Sequence, residues 1–321
     1  MSEEIDHLLA RCAGAYAPAT LRSYRTALRV FDAWCGERGM SFLPASPEAI
    51  AQFVQSQAEV CAAATITHRI AAIRFAHRLA DLPLPTEDSQ VRLALRRVAR
   101  AKTCRPKQAL GLTTDLLSKI VAACPDTKAR LRDAAFMSVG YDTLCRSSEL
   151  AAMRIEHLAD DHSRLCIPRS KTDWAGNGRI AYLSPATVER LEAWLTAAQL
   201  QDGPVFRGLH TGAVSPKGMT TSAIRRLVKR IAERAGLPAA TVEGLSGHSL
   251  RVGAAQDMMI AGFDTIGIMQ AGGWRSHQVL ARYVEHATAE RMHARRWSCL
   301  EKSSGVASGS AAEQAQSLSV G

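Results

Sequence analysis

A mainly α-helical chain of two domains is what this sequence predicts, on three observations. Its 321 residues make about two domains at roughly 150 residues each. Apolar residues recur at helical spacing in most segments. One stretch alone reads as a strand pair: Arg164-Leu-Cys-Ile-Pro, a polar turn through Asp173-Trp-Ala-Gly-Asn-Gly, then Arg179-Ile-Ala-Tyr-Leu. The expected architecture is an all-helical N-terminal domain over 1–105 and a mostly α second domain over 106–302 with a small antiparallel β-hairpin sheet. Residues 303–321, made of Ser, Gly, Ala and Gln with one acid, Glu313, are expected to be a disordered tail.

The elements follow in order. After Thr20, residues Leu21, Tyr24, Leu28, Phe31 and Cys35 share a helix face that Gly36 and Gly39 end. Ser46-Pro47 opens a second helix, because proline suits the first helical position, and Ile50, Phe53 and Val54 point inward. Thr65 to Leu79 sets Ile66, Ile70 and Ile73 against His68, Arg69, Arg74 and Arg78; beyond Pro83-Leu84-Pro85, Val91, Leu95 and Val98 alternate with Arg92, Arg96, Arg97 and Arg100. Residues 101–112 carry the proline, glycine and charge of a linker. A capped helix from Thr113, helices near 128–142 and 146–153, the hairpin, and helix for the rest complete the second domain.

Composition narrows function. Hydrophobic residues at 47% and charged residues at 22% are ordinary globular usage and exclude a mainly disordered or fibrous chain. The formal charge is +10, which points to an anionic partner, nucleic acid before membrane. Membrane insertion needs about 18 consecutive apolar residues, and even Asp133 to Leu144 is broken by Ser138, Gly140 and Asp142. No membrane partner is expected. The start, Met1-Ser-Glu-Glu-Ile-Asp, is acidic and lacks a secretory pattern, so a cytoplasmic location is expected. Eight scattered cysteines without a Cys-x-x-Cys pair give no zinc module or disulfide framework. With no phosphate-cradling Gly-x-x-x-x-Gly-Lys loop and no metal-spaced acids, no cofactor and no metal are expected.

The segment richest in chemistry is Leu245-Ser-Gly-His-Ser-Leu-Arg-Val-Gly-Ala-Ala-Gln-Asp-Met. His248 and Arg251 are three positions apart, so on a helix they share a face. Ser246-Gly247 reads as the start of that helix, where free N–H groups and a guanidinium could hold an anion. Taken singly, the histidine reads as structural and a tyrosine such as Tyr283 as core. They are not single: in order the chain presents Arg146, Lys171, His248-x-x-Arg251, Trp274 and Tyr283, with Glu149 three residues after Arg146.

That order resembles the tyrosine recombinase (phage integrase) family, its Cre-type branch in particular. The likeness includes Ser246-Gly-His-Ser-x-Arg-Val-Gly-Ala-Ala-x-Asp-Met, Ala261-Gly and Ile268-Met-Gln-Ala-Gly-Gly-Trp. It reaches Ala33-Trp-Cys, Pro44-Ala-x-Pro-Glu48, His77-Arg78 and Lys107-Gln-Ala-Leu, and spans about residues 15–300. The resemblance implies a SAM-like N-terminal domain and a recombinase fold, and a site-specific DNA recombinase that cleaves and rejoins DNA through a 3′-phosphotyrosine. The chemistry of the residues agrees. A tyrosine hydroxyl can conserve the phosphodiester energy in a covalent intermediate, which makes Tyr283 the nucleophile. Arg146 and Arg251 would stabilise charge on the non-bridging oxygens, and Lys171 would protonate the departing 5′ oxygen. His248 resembles the family histidine that contacts the phosphate. Trp274 stands where many members have a second histidine, so it can only donate, and Glu149 would restrain Arg146 or His248.

For DNA, residues 220–235 should bury Ile224, Leu227, Val228 and Ile231 and present Arg225, Arg226, Lys229 and Arg230 to the major groove. Ser222 stands where the family's recognition helix has an arginine, so the preferred site should differ. Arg22, Ser23, Arg25, His68 and Arg69 are the expected contacts of the first domain. The resemblance further implies double-stranded DNA with inverted-repeat half-sites, a homo-tetramer on two sites, and exchange of a C-terminal helix carrying Met292, Trp297 and Leu300. A bacterial or phage, nucleoid-associated setting is expected. Two other readings stay open: type IB topoisomerase-like relaxation, and a non-catalytic DNA-binding protein on the same fold.

Overall fold

The computed structural model describes residues 2–102, 108–123, 127–168, 176–285 and 296–298. The chain divides into two units, Met1–Pro106 and Lys107–Gly321.

The first unit is helical: α1 (Ser2–Ala10), α2 (Pro18–Gly36), α3 (Pro47–Val60), α4 (Ala63–Leu79) and α5 (Ser89–Ala101). Pro47 occupies the first turn of α3 and the Ser46 hydroxyl accepts from the Ala49 N–H at 3.1 Å, satisfying one of the donors a helix start leaves orphaned. Asp88 does the same for α5 through the Gln90 N–H at 2.7 Å. Ile50, Phe53, Val54, Ile66, Ile73 and Val91 meet Leu28 and Phe31 in one core. His77, 1% exposed, accepts from the Ala45 N–H at 3.0 Å and donates to the Ile73 carbonyl at 3.0 Å. Both ring nitrogens are thereby used, which fixes a neutral tautomer. Two expectations need amendment. Helix α2 starts at Pro18, before Thr20, and α1 has no counterpart among the expected elements; its Ile5, Leu8 and Leu9 are buried in the core.

The second unit contains α6 (Thr114–Ala122), α7 (Lys128–Asp142), α8 (Ser147–Ala152), β1 (Arg164–Ile167), β2 (Arg179–Tyr182) and α9 (Pro185–Ala198). Then come β3 (Arg207–His210), β4 (Ala213–Gly218), α10 (Thr221–Arg234), α11 (Ala239–Gly244), α12 (Ser249–Ile260) and α13 (Thr265–Gly272), and a helix over 277–285. Strands β1 and β2 form the expected antiparallel hairpin, with Ile167 opposite Arg179. A second hairpin, β3–β4, replaces part of the helix expected there.

Helix α7 is buried along most of its length, from Arg132 to Gly140. It packs into a core with Trp194 of α9, Phe206, and Ile224, Leu227, Val228 and Ile231 of α10. Its buried charged residues are paired: Asp133, fully buried, binds Arg132 and Arg234 at 2.6 Å each. The last part of the expected linker is core as well. Leu112 is fully buried, its N–H donates to the Ser249 carbonyl at 2.8 Å, and the Leu110 N–H reaches the Gly244 carbonyl at 2.9 Å. A Cβ on Gly253 would lie 2.0 Å from the Leu112 carbonyl oxygen, so this segment locks α12 in place only because residue 253 has no side chain. A third cluster, Leu144, Ala254, Ala255, Ile268, Trp274, Leu280 and Val284, underlies the region where the predicted site residues meet.

Candidate active site and nucleic-acid interface

Two short loops build the site. The first, 143–146, leaves α7 with Leu144 at φ 50°, a left-handed conformation that is costly for a branched aliphatic residue and persists only where the surroundings hold it. The Leu144 carbonyl is held by Arg251 Nη1 at 2.5 Å. The loop ends on Arg146, the N-cap of α8. Its N–H donates to Glu149 Oε2 at 3.0 Å and its Nη1 to Glu149 Oε1 at 2.7 Å, so one carboxylate satisfies the helix start and fixes the guanidinium. Of the two partners expected for Glu149, Arg146 is one it binds.

The second loop, 271–274, leaves α13. Gly273 adopts φ 65° at the helix end, and a Cβ on Gly272 would lie 1.9 Å from the Trp274 ring. The Gly-Gly pair thus allows both the left-handed turn and the fold-back of the indole. Trp274, 5% exposed, places its ring 3.7 Å from the Arg251 guanidinium carbon, a cation–π contact in a desolvated setting. Its ring also packs edge-to-face with that of Tyr283, the two centroids 5.6 Å apart.

Arg251, on α12, ties the loops together: besides Leu144 it donates to the Gly272 carbonyl at 2.7 Å. It is 1% exposed. Burial, then the Arg146 charge, lower its pKa to about 10, while Glu149 and Tyr283 act in the opposite sense. It therefore stays protonated at neutral pH. Its Nη2 and the Trp274 indole N–H are buried without an acceptor among the described residues. Two buried donors without acceptors, on side chains stacked on one another, are a costly arrangement unless an anion or another acceptor completes it. His248 caps the start of α12 and is exposed, its N–H donating to the Ser246 hydroxyl at 3.1 Å. Tyr283 is half-buried on the 277–285 helix. Its carbonyl accepts from the side-chain amides of Gln256 at 3.1 Å and Gln108 at 3.3 Å.

The structure therefore brings Arg146, Glu149, Arg251, Trp274 and Tyr283 together, with His248 at the head of the Arg251 helix. Lys171 lies outside the described residues, on the connection between β1 and β2. Sequence reasoning missed Gln108, Gln256 and Arg179. Arg179 is 12% exposed at its side chain and lies 3.6 Å from Glu149. Among the described residues, no group of three or more His, Cys, Asp or Glu side chains has metal-binding geometry, and no helix is long and apolar enough to cross a membrane.

The expected DNA-contacting residues fall into two sets. On α10, Ser222, Arg225 and Arg226 are exposed; Lys229 is half-buried and donates to the Glu243 carbonyl at 3.3 Å. Arg225, Arg226 and Lys229 line a cleft of about 820 Å³ together with Ser246 and His248, so the basic helix and the head of α12 share one concave surface. In the first unit, Ser23 and His68 hydrogen-bond at 2.7 Å across α2 and α4, Arg22 is exposed and Arg69 half-buried. Arg25 pairs with Asp6 at 2.6 Å, beside Arg29 at 2.9 Å.

The chain is similar to known proteins in sequence and in fold. Residues 111–290 match the phage integrase family, and residues 6–80 match the phage integrase N-terminal SAM-like domain. The chain is 28% identical over 296 residues to the recombinase Cre of Escherichia phage P1, covering 86% of each chain. It is 29% identical over 283 residues to an integrase/recombinase XerD homolog of Selenomonas ruminantium, covering 84% of this chain and 82% of that one. In fold it resembles the XerH recombinase bound to palindromic difH (TM-score 0.64, 17% identity, 92% of this chain and 84% of that one). It also resembles the Tn1549 transposon integrase bound to circular-intermediate DNA (TM-score 0.61, 15% identity, 91% and 98%).

Proposed function

The chain belongs to the phage integrase family, and from that premise we propose that it is a site-specific recombinase that cleaves and rejoins DNA through a phosphotyrosine formed by Tyr283. The observation that carries this reading is the pair of buried donors, Arg251 Nη2 and the Trp274 N–H, unsatisfied among the described residues and beside the Tyr283 ring. A phosphate non-bridging oxygen is the acceptor they lack.

In the proposed step the Tyr283 oxygen attacks phosphorus and the P–O5′ bond breaks, leaving a 3′-phosphotyrosine and a 5′-hydroxyl. Arg146 and Arg251 balance the charge that builds on the non-bridging oxygens, and they are held before the reaction by Glu149 and by the Leu144 and Gly272 carbonyls. Such fixed donors need no reorganisation as charge develops. The Trp274 N–H adds a neutral donor. Lys171 supplies the proton to the 5′ oxygen, and His248 contacts the phosphate and accepts the tyrosine proton. Attack by a 5′-hydroxyl reverses the step and rejoins the strand, so the bond energy is conserved.

Assembly is proposed from an apolar surface. Ile260, Phe263 and Ile266 are exposed at 47%, 56% and 63%, next to a 440 Å³ cavity lined by Ile266, Met269 and Trp274. The C-terminal segment of a neighbouring copy, with Met292, Trp297 and Leu300, is the proposed occupant, giving a tetramer on two inverted-repeat sites. Truncation after Ala287 should then abolish cooperative assembly on paired sites while leaving single half-site binding.

A plasmid bearing two copies of a site selected from random duplexes tests the function. The expected products are recombinants, with strand joints inside the site and no added nucleotide. Relaxation of supercoils without recombinants would favour topoisomerase chemistry; binding alone would favour the architectural reading.

A further inference from the structure

We propose, building on the recombinase reading, that Arg179 is a positioning residue for strand cleavage: a brace that sets the spacing of the two loops bearing Arg146 and Trp274. Nothing in its local sequence separates it from an ordinary strand-end base. In the folded chain its Nη1 donates to the Ala271 carbonyl and its Nη2 to the Thr143 carbonyl, both at 2.8 Å, with Nη2 also 3.6 Å from the Cys145 sulfur. Arg251 takes the next residue of each loop, Leu144 and Gly272. Two guanidiniums therefore form adjacent rungs between the same loops. One comes from α12 and the other from β2, opposite Ile167 in the hairpin ladder.

The rungs are not equivalent. Arg251 keeps an unpaired buried donor for the phosphate, so when it engages DNA its hold on the loops has to tolerate a new partner. Both terminal nitrogens of Arg179 are bound to the protein, and its Nε alone is buried without a partner among the described residues. Its stem fits the second loop closely: a Cβ on Gly273 would lie 3.2 Å from its Cδ. It also approaches Glu149 at 3.6 Å, on the carboxylate oxygen opposite the one that binds Arg146 Nη1. Glu149 is thus held between Arg146 and Arg179, and a shift of Arg179 moves Arg146 as well. Among the described residues, Arg146, Arg179 and Arg251 face a single carboxylate, Glu149, leaving the positive surplus that a phosphate neutralises. Geometric supports of this kind act on rate, since displacement of a reacting group by about 1 Å can cost about 10²-fold.

The test compares wild type, Arg179→Met and Arg179→Lys in single-turnover adduct formation on a selected duplex nicked beside the cleavage point. A second duplex carries a neutral methylphosphonate at the scissile position, and DNA affinity and melting temperature are measured in parallel. Arg179→Met should slow cleavage of the phosphate duplex by about 10²-fold with affinity and melting little changed. Arg179→Lys should recover part of the rate, because an ammonium lacks the fork that spans both loops. On the methylphosphonate duplex, where less charge has to be stabilised, the gap between wild type and Arg179→Met should shrink to about threefold. Equal slowing on both duplexes would assign Arg179 to the fold or to the nucleophile and overturn the proposal, as would unchanged cleavage. Failure of the wild type to form an adduct would instead defeat the recombinase reading, and the brace with it.

Discussion

Arg251 is 1% exposed, stacked on Trp274 and bonded to two loop carbonyls, whereas Arg225 and Arg226 stand on the outer face of α10 with exposed side chains. Both regions contribute to the +10 charge, yet they are suited to different tasks. A desolvated, immobilised guanidinium stabilises a charge that appears at one point, because its orientation is settled before the reaction. A solvated guanidinium on a helix face gains affinity for any phosphate within reach, screened by salt and indifferent to the chemical step. The two sets should therefore separate cleanly into rate and affinity.

The largest effect is expected from Arg251→Ala. Loss of a preorganised donor should lower single-turnover cleavage by about 10²–10³-fold, with half-site affinity nearly unchanged; an affinity loss equal to the rate loss would erase the distinction. Next is the triple change Arg225→Ala, Arg226→Ala, Lys229→Ala, which should weaken binding and flatten the plot of log affinity against log salt by about 0.9 for each phosphate that is no longer neutralised. Cleavage at saturating protein should stay within about threefold of wild type; a slow saturated reaction would place α10 in the chemistry. Gln256→Ala removes one of two amides on the Tyr283 carbonyl and should slow cleavage about tenfold by loosening the nucleophile, while Gln256→Asn on its shorter stem should restore little.

The smallest effect concerns Cys145, buried between the arginines, its pKa pushed up to about 11 by burial first, with the Arg179 charge opposing. The folded state keeps this proton when the unfolded chain would release it. Its stabilising contribution is therefore complete below the ordinary thiol value of 9 and lost as pH rises toward 11. Peptide mapping after iodoacetamide at pH 8 should find Cys166, which is exposed, modified and Cys145 intact.

How much of this is legible in the sequence depends on where each feature is encoded. The inward faces of α3, α4 and α10 are readable because Ile50, Ile66 and Ile224 bury surface at a spacing set by the helix itself. Strands β3 and β4 are not: Gly208, Gly212 and Pro216 dilute the strand signal, and most of their residues are only half-buried or exposed, so no period-two pattern appears. Leu112 reads as linker because its burial depends on Gly253, far along the chain. In the site, the order of Arg146, His248, Arg251, Trp274 and Tyr283 is legible because each side chain has its own chemistry. Arg179, Gln108 and Gln256 escape notice because their shortest hydrogen bonds end on backbone carbonyls, which every residue possesses and no sequence marks.

The central claim is that Tyr283 becomes covalently joined to DNA beside the buried arginines. Incubating wild type and Tyr283→Phe with a selected duplex nicked next to the cleavage point, then denaturing the mixture and mapping any DNA-linked peptide by mass spectrometry, tests it directly. The wild type should give an adduct on the peptide containing Tyr283, and the variant none. An adduct on another residue, or equal adduct with Tyr283→Phe, would contradict the claim.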